Sequence, residues 1–169
     1  KQLMLCGQRE TSFNGVTKLF RRSGSMRNER QKTKYIIVHS TNTTPDKNIG
    51  AKEITSQDRK DGWLTCRFHK IITRDGSVED GRDIRIAGTH VDSVTEVYDV
   101  TNANSIGICL VGGAGSNDTP DCNFTLKQYN KLSELVVSLK QEYSEAVILG
   151  HRDVANVKSP QFNVAELLS

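Results

Sequence analysis

The stretch GHRDVANVKSP, residues 150–160, carries the clearest chemical signal in the chain. It sets a histidine, His151, at the end of an apolar run, and a serine, Ser159, eight residues later, just before a proline. A second histidine, His39, closes the apolar run KYIIVHS. Neutral imidazole is a common metal ligand, and histidines that end neighbouring strands meet at one sheet edge. A hydrolytic metal site needs a third protein ligand and an open position for water. A zinc hydrolase would want a cysteine or an acid near Ser159 rather than a bare hydroxyl. Taken singly, a strand-end histidine is more often a hydrogen-bonded structural group than a ligand. The remaining histidines, His69 beside Phe68 and His90 in a loop, are candidate ligand-binding residues.

Other chemistries are poorly represented. Serine, histidine and aspartate are all present, but no serine sits in a GxSxG elbow. There is no phosphate-binding loop and no dinucleotide fingerprint. The four cysteines, Cys6, Cys66, Cys109 and Cys122, include no CxxC pair, so neither a zinc knuckle nor a redox motif is indicated. Cys109, inside IGICLV, reads as a small buried hydrophobe. Nothing demands a disulfide, and a cytoplasmic or otherwise reducing compartment is the expectation.

The elements that must position these residues read as one α/β domain. The chain has 169 residues, 36% hydrophobic and 25% charged, which suits one substantial core. No apolar run is long enough to span a membrane. KYIIVHS (34–40) predicts a strand, and a polar helix from about Asn48 to Lys60 follows, closed by Gly62. FHKIIT and SVEDGR, joined by Asp75-Gly76, predict a hairpin. SIGICLVGG (105–113) predicts a buried strand stopped by glycines. Thr125 and Gln128 form a capping box, behind which Leu126, Tyr129, Leu132, Val136, Leu139 and Tyr143 share a helical face. AVILGH predicts the next strand, and NVAELL a short last helix. Strands alternating with helices, plus one hairpin, give a single domain with a mixed central sheet flanked by helices.

Charge is unevenly spread. Residues 1–34 hold nine Lys or Arg and two Glu, a net +7, so the other 135 residues carry −4 within the chain total of +3. Residues 1–33 therefore read as a basic N-terminal extension and residues 34–169 as the folded domain. One reading of the extension is a solvated arm. The other is a contact surface for an acidic partner, a nucleic acid or a polymerase, with Phe20, Arg21 and Arg22 as contact residues.

The segments YIIVHS, GW at 62–63, FHKIITRDGSVEDGRD, NANSIGICLVGG, NFT and GHRDV, in this order, resemble the phage lysozyme-type N-acetylmuramoyl-L-alanine amidases. These belong to the type 2 amidases and are related to the peptidoglycan recognition proteins. The resemblance runs from about residue 34 to residue 164. It implies a single zinc held by two histidines and a third ligand, a cysteine in the phage enzymes. It also implies a zinc-bound water that attacks the amide between the lactyl group of muramic acid and L-alanine. In the phage enzymes a tyrosine and a lysine support the developing oxyanion.

His39 and His151 match the histidine ligands of the resemblance. Ser159 stands at the cysteine position, Phe68 at the tyrosine, Val157 at the lysine, and Gln57-Asp58 at a Trp-His pair. Neither Asp153 nor the neutral Gln161 is an obvious replacement ligand. Recognition proteins with serine at the third position are generally binders. The expectation is therefore a non-catalytic amidase-fold protein with no cofactor, which binds a muropeptide or a protein partner. That partner would be RNA polymerase or a larger assembly, since the family includes an enzyme that also restrains its phage's RNA polymerase, partly through its N-terminal segment. The alternative is a zinc-dependent amidase that tolerates an unusual site. The segment THVDSVTEVYDVTNANS, longer than its phage counterpart and more apolar than a solvated loop, is expected to pack and narrow the cleft.

Overall fold

The computed structural model describes residues 29–92 and 97–169. The order of elements is β1 (Tyr35–Ser40), α1 (Ala51–Lys60), β2 (Lys70–Ile72), β3 (Val78–Asp80), β4 (Ser105–Leu110), α2 (Leu126–Glu142), β5 (Val147–Gly150), α3 (His151–Val154) and α4 (Val164–Leu167). The five strands form one mixed sheet in the order β3-β2-β4-β1-β5. Only the β2–β3 hairpin is antiparallel, turned at Gly76 with φ +86° as the Asp-Gly signal predicts. Among the described residues no helix is long and apolar enough to cross a membrane.

The two central strands, β1 and β4, are almost wholly buried, as expected of parallel strands covered on both faces. Their alternation assigns the faces. Ile36 and Val38 of β1, with Ile106, Ile108 and Leu110 of β4, pack against Leu132, Val136 and Leu139 of α2. The odd-numbered residues point the other way. Cys109 meets Ile54 of α1, Cys66, Phe68 and Ile71, while Ile37 meets Val91, Val100 and Val154. Each such aliphatic side chain, fully buried, contributes roughly 1.5–3 kcal/mol. His39, two residues beyond Ile37, lies on this second face, at the carboxyl end of β1. The crevice beyond the carboxyl ends of parallel strands is where open α/β sheets place their ligands.

Helix α2 begins as its capping box requires. Thr125 Oγ1 accepts from Gln128 N (3.2 Å), and Thr125 N donates to Gln128 Oε1 (3.0 Å). Gln128 then reaches into the core, its Nε2 donating to Ile72 O (3.1 Å) and Val111 O (2.8 Å). The helical face differs from expectation at its start, because Leu126 is 74% exposed. Within the first turn the inward place is taken by fully buried Gln128, two residues on, and Leu126 lies off that face. Helix α1 starts at Ala51, three residues later than the pattern suggests, with Gly50 N donating to Glu53 Oε2.

The folded body begins before Lys34. Glu29 bridges to Ile86, Arg30 Nε donates to Ile84 O, and Gln31 N donates to Ala103 O. Residues 29–33 thus belong to the domain rather than to an extension. Phe20, Arg21 and Arg22 lie outside the described residues. Of the segment 89–105, residues 93–96 lie outside the described residues, and Val97 is exposed rather than packed. Val91 and Val100 are buried, and Asn102 Oδ1 accepts from His90 N and Val91 N.

Candidate functional site

A cleft of about 500 Å³ opens over the second face of the sheet. Its lining includes His39, Phe68, His90, His151, Val157 and Ser159, contributed by widely separated elements. Strand β5 ends at Gly150, so His151 opens helix α3 rather than ending a strand. Asp153 belongs to the same short helix, and its Oδ2 accepts from Gly150 N (2.7 Å). This bond fixes the turn that carries His151 and occupies the acid closest to it in sequence.

The two histidines do come together: the His39 and His151 rings have centroids 4.5 Å apart. His90 adds a third ring, with its Nδ1 2.9 Å from His39 Nε2 and its Nε2 3.4 Å from Ser105 Oγ. Ser105 Oγ donates to Thr101 O (2.5 Å), and a carbonyl can only accept. Ser105 is therefore the acceptor for His90 Nε2–H, His90 Nδ1 is bare, and His39 Nε2–H donates to it. The lone pair of His39 consequently lies on Nδ1. A partner on the second ring nitrogen is how metal-binding histidines are oriented. Gly107 makes room for the arrangement, since a Cβ there would lie 2.7 Å from the His90 ring.

All four histidines are held towards the neutral form. Burial is the largest cause for each, and it pushes His39 and His90 well below the ordinary histidine range. His151 is lowered by burial and partly restored by Asp92. His69, lowered to about 4, has both ring nitrogens committed to backbone. Nδ1 accepts from Gly107 N (2.9 Å) and Nε2 donates to Ile86 O (2.9 Å). It lies behind His90 rather than on the cleft wall, as a bracket between β4 and the 81–88 loop.

At the third position, Ser159 is 6% exposed and turned towards β1. Its Oγ accepts from Ser40 N (2.9 Å) and lies 3.0 Å from Ser40 Oγ, whose single proton also faces Asn42 Oδ1 (3.0 Å). Its carbonyl accepts from Arg152 N (2.6 Å). The donor set offers two imidazole nitrogens and a hydroxyl engaged by Ser40 N and Ser40 Oγ. Among the described residues, no group of three or more His, Cys, Asp or Glu side chains is gathered to hold a metal ion. His39 and His151 are residue types that a zinc would use, and a neutral hydroxyl is a weaker donor than the thiolate or carboxylate that usually joins them. Phe68 lies against His39 with centroids 5.2 Å apart, and its ring has no hydroxyl to offer an oxyanion. Val157, 40% exposed on the cleft rim, has no ammonium. Gln161 Nε2 donates to Asn42 Oδ1 (2.7 Å).

The structure adds residues that patterning did not single out. Asp58 is 1% exposed and binds Arg67 twice, Oδ2 accepting from the backbone N–H (2.9 Å) and Oδ1 from Nε (2.8 Å). The available signal was positional. Asp58 lies four residues after Ile54, on the inward face of α1, where an acid must have a partner. Gly107 within an otherwise apolar strand was a second signal, of close approach by a neighbour.

Residues 29–161 match the sequence profile of Amidase_2, N-acetylmuramoyl-L-alanine amidase. The endolysin of Klebsiella phage KP32 is 40% identical over 136 residues, which cover 80% of this chain and 85% of the endolysin. Among solved structures, the N-acetylmuramoyl-L-alanine amidase LysC from Clostridium intestinale superposes with a TM-score of 0.65 at 23% identity, covering 80% of this chain and 83% of LysC. A Drosophila PGRP-LB mutant superposes with a TM-score of 0.62 at 21% identity, covering 83% of each chain. At these identities the structural likenesses speak for the fold alone, whereas the sequence matches speak for kinship. With its profile match over most of its length and its kinship to phage endolysins, this chain belongs to the N-acetylmuramoyl-L-alanine amidase family.

Proposed function

We propose that this chain binds a peptidoglycan-type muropeptide in the His39–His151 cleft and does not hydrolyse it. The observation that carries the reading is the orientation of Ser159. Its Oγ is held by Ser40 N and Ser40 Oγ, which leaves the two histidines without a third strong ligand. Phe68 and Val157 supply neither a proton donor nor a positive charge to a developing oxyanion, an interaction worth about 3–4 kcal/mol of barrier in other hydrolases. What remains is a concave site about 500 Å³ in volume, within the range that holds small ligands. A neighbour of the same fold supports a binding role, as the PGRP-LB mutant was solved in complex with tracheal cytotoxin. On this reading the two histidines are polar lining groups, and no cofactor is required.

A protein partner, RNA polymerase among them, would engage the basic segment that holds Phe20, Arg21 and Arg22, outside the described residues. The cleft is the better-supported site, because its geometry is visible. The second reading, a zinc-dependent amidase, is favoured by the close His39–His151 pair and by kinship to endolysins.

One experiment separates the two readings. Purified chain is incubated with insoluble peptidoglycan, with and without added zinc. New alanine amino termini and co-sedimented protein are both measured. The expected result is co-sedimentation with no release above background. Release that disappears in His151→Ala would make the enzyme reading correct.

A further inference from the structure

Arg67 immediately precedes Phe68 and lines the cleft with it. Its anchorage is one-sided. Asp58 takes the Arg67 backbone N–H and Nε, and no protein acceptor for Nη1 or Nη2 is present among the described residues. Arg67 Cζ also lies 5.5 Å from the centroid of the Phe68 ring, so the guanidinium is held against an aromatic face as well as by an ion pair. Guanidinium has five N–H donors in a rigid fork, and its terminal Nη1/Nη2 edge matches a carboxylate with two parallel hydrogen bonds. A purely structural partner for Asp58 would place its fork on the acid. Here only Nε does so, and the Arg67 side chain keeps 33% of its surface exposed.

We infer that Arg67 is the specificity-determining residue of the cleft, presenting its terminal edge to a carboxylate of a bound peptide. The charges around it select the kind of anion. Lys47 and Arg67 are the basic lining residues, whereas Glu53, Asp58 and Asp92 are the acidic ones. Asp58 is spent on Arg67, but Glu53 and Asp92 stay to repel a phosphate or another dense polyanion. A single carboxylate on an otherwise neutral peptide is the ligand that gains the fork without a large repulsion. Asp58 is a positioning residue in this scheme. Buried and doubly bonded, it fixes the direction of the guanidinium and removes much of the entropy cost of ordering a long side chain on binding.

This inference rests on the cleft-binding reading above, and the test separates the two. The probe is N-acetylmuramoyl-L-alanyl-D-isoglutamine, which carries a single carboxylate, compared by calorimetric titration at pH 7 with the diamide in which that carboxylate is also a carboxamide. The unmodified chain should bind the acid about tenfold to a hundredfold more tightly than the diamide, the usual worth of a hydrogen-bonded charge. Arg67→Gln should remove that preference, so that acid and diamide bind alike. Arg67→Lys, which keeps the charge but loses the fork, should fall between. Because Arg67→Gln leaves a buried carboxylate unpaired, the neutral pair Asp58→Asn with Arg67→Gln is measured beside it. This double variant should fold and also lack the preference. Equal affinity of the unmodified chain for acid and diamide would overturn the role of Arg67 while leaving cleft binding intact. So would a preference that survives in the folded double variant. Binding of neither probe would remove the cleft reading and this inference together.

Discussion

His39 Nε2–H donates to His90 Nδ1 across 2.9 Å, and the chain of bonds through Ser105 to Thr101 O fixes that direction. His39 should therefore be a single tautomer, protonated on Nε2, in the folded chain. Two-bond proton–nitrogen correlation spectra of labelled protein at neutral pH report this directly, through distinct shifts for the bare and protonated ring nitrogens. In His90→Phe the acceptor is gone. A second population protonated on Nδ1 should appear, and stability should fall by about 1–3 kcal/mol for the unpaired buried donor. A single Nε2–H tautomer that persists in His90→Phe would mean that another group orients His39.

The second prediction concerns metal. With Ser159 Oγ engaged by Ser40, zinc should be lost on dialysis against a mild chelator. Losing one partner that merely orients a ligand costs roughly 10–100-fold in metal affinity, and losing a ligand should cost more. Ser159→Cys supplies a thiolate and should retain about one zinc per chain under the same dialysis, because His39 and His151 already face each other with ring centroids 4.5 Å apart. Adding Phe68→Tyr should permit slow release of L-alanine peptides, still limited by the absence of an ammonium at Val157. Stoichiometric zinc in the unmodified chain after dialysis would contradict the prediction.

Much of this was legible in the sequence, for reasons that differ by element. The short apolar run of Ile36, Ile37 and Val38 and the Asp75-Gly76 turn act through local geometry, so β1 and the hairpin were readable. Family resemblance supplied the meeting of His39 with His151, which patterning alone could only suggest. Two things were not readable. Whether Ser159 Oγ faces a metal or Ser40 depends on how residues 155–159 return to β1, a matter of tertiary packing. The Asp58–Arg67 pair lies nine residues apart and answers to neither helical nor strand periodicity, because the two residues sit on different elements. Leu126 shows the opposite failure. It continues the run of apolar spacings but, six residues before Leu132, sits about 1.7 turns away and so off the buried face, which Gln128 occupies in the same turn.

Gln128 gives a third prediction. Its Nε2 satisfies the carbonyls of Ile72 and Val111 at the ends of β2 and β4, and its Oε1 caps α2. Gln128→Leu keeps the volume but removes both functions and leaves the Val111 carbonyl bare, while Ile72 O still accepts from Val111 N. Each neutral bond so lost costs about 1–3 kcal/mol when a buried partner remains, so the total should reach roughly 2–4 kcal/mol, read by urea denaturation. Gln128→Glu should also be destabilising, since a carboxylate cannot donate to the two carbonyls. A loss below about 1 kcal/mol in Gln128→Leu would show that water takes over the role.

The last prediction is the pH dependence that His69 confers. Its folded pKa lies near 4, below the ordinary 6.5, chiefly because it is buried. Arg30 and Arg82 push the same way, whereas the bond to Ile86 O and the charge of Asp83 oppose them. His90 packs beside it and is itself lowered. Above about pH 6.5 the ring is neutral in both folded and unfolded chains, and the fold keeps its full stability. As pH falls below that value the unfolded chain takes up a proton that folded His69 refuses, so stability drops until about pH 4, where the folded ring also protonates. The interval corresponds to roughly 3 kcal/mol. Carboxylates such as Asp75, held at about 2 by Thr73 and Ser77, act only in a lower window, below their ordinary 3.8. Urea titrations at pH 7, 5.5 and 4.5 should show the loss. His69→Gln, which retains an acceptor for Gly107 N and a donor for Ile86 O, should flatten the curve by about that amount across the same interval. An identical pH dependence in both proteins would mean that His69 protonates in the folded chain near its ordinary pKa, and that the bracket it forms between β4 and the 81–88 loop opens below neutral pH.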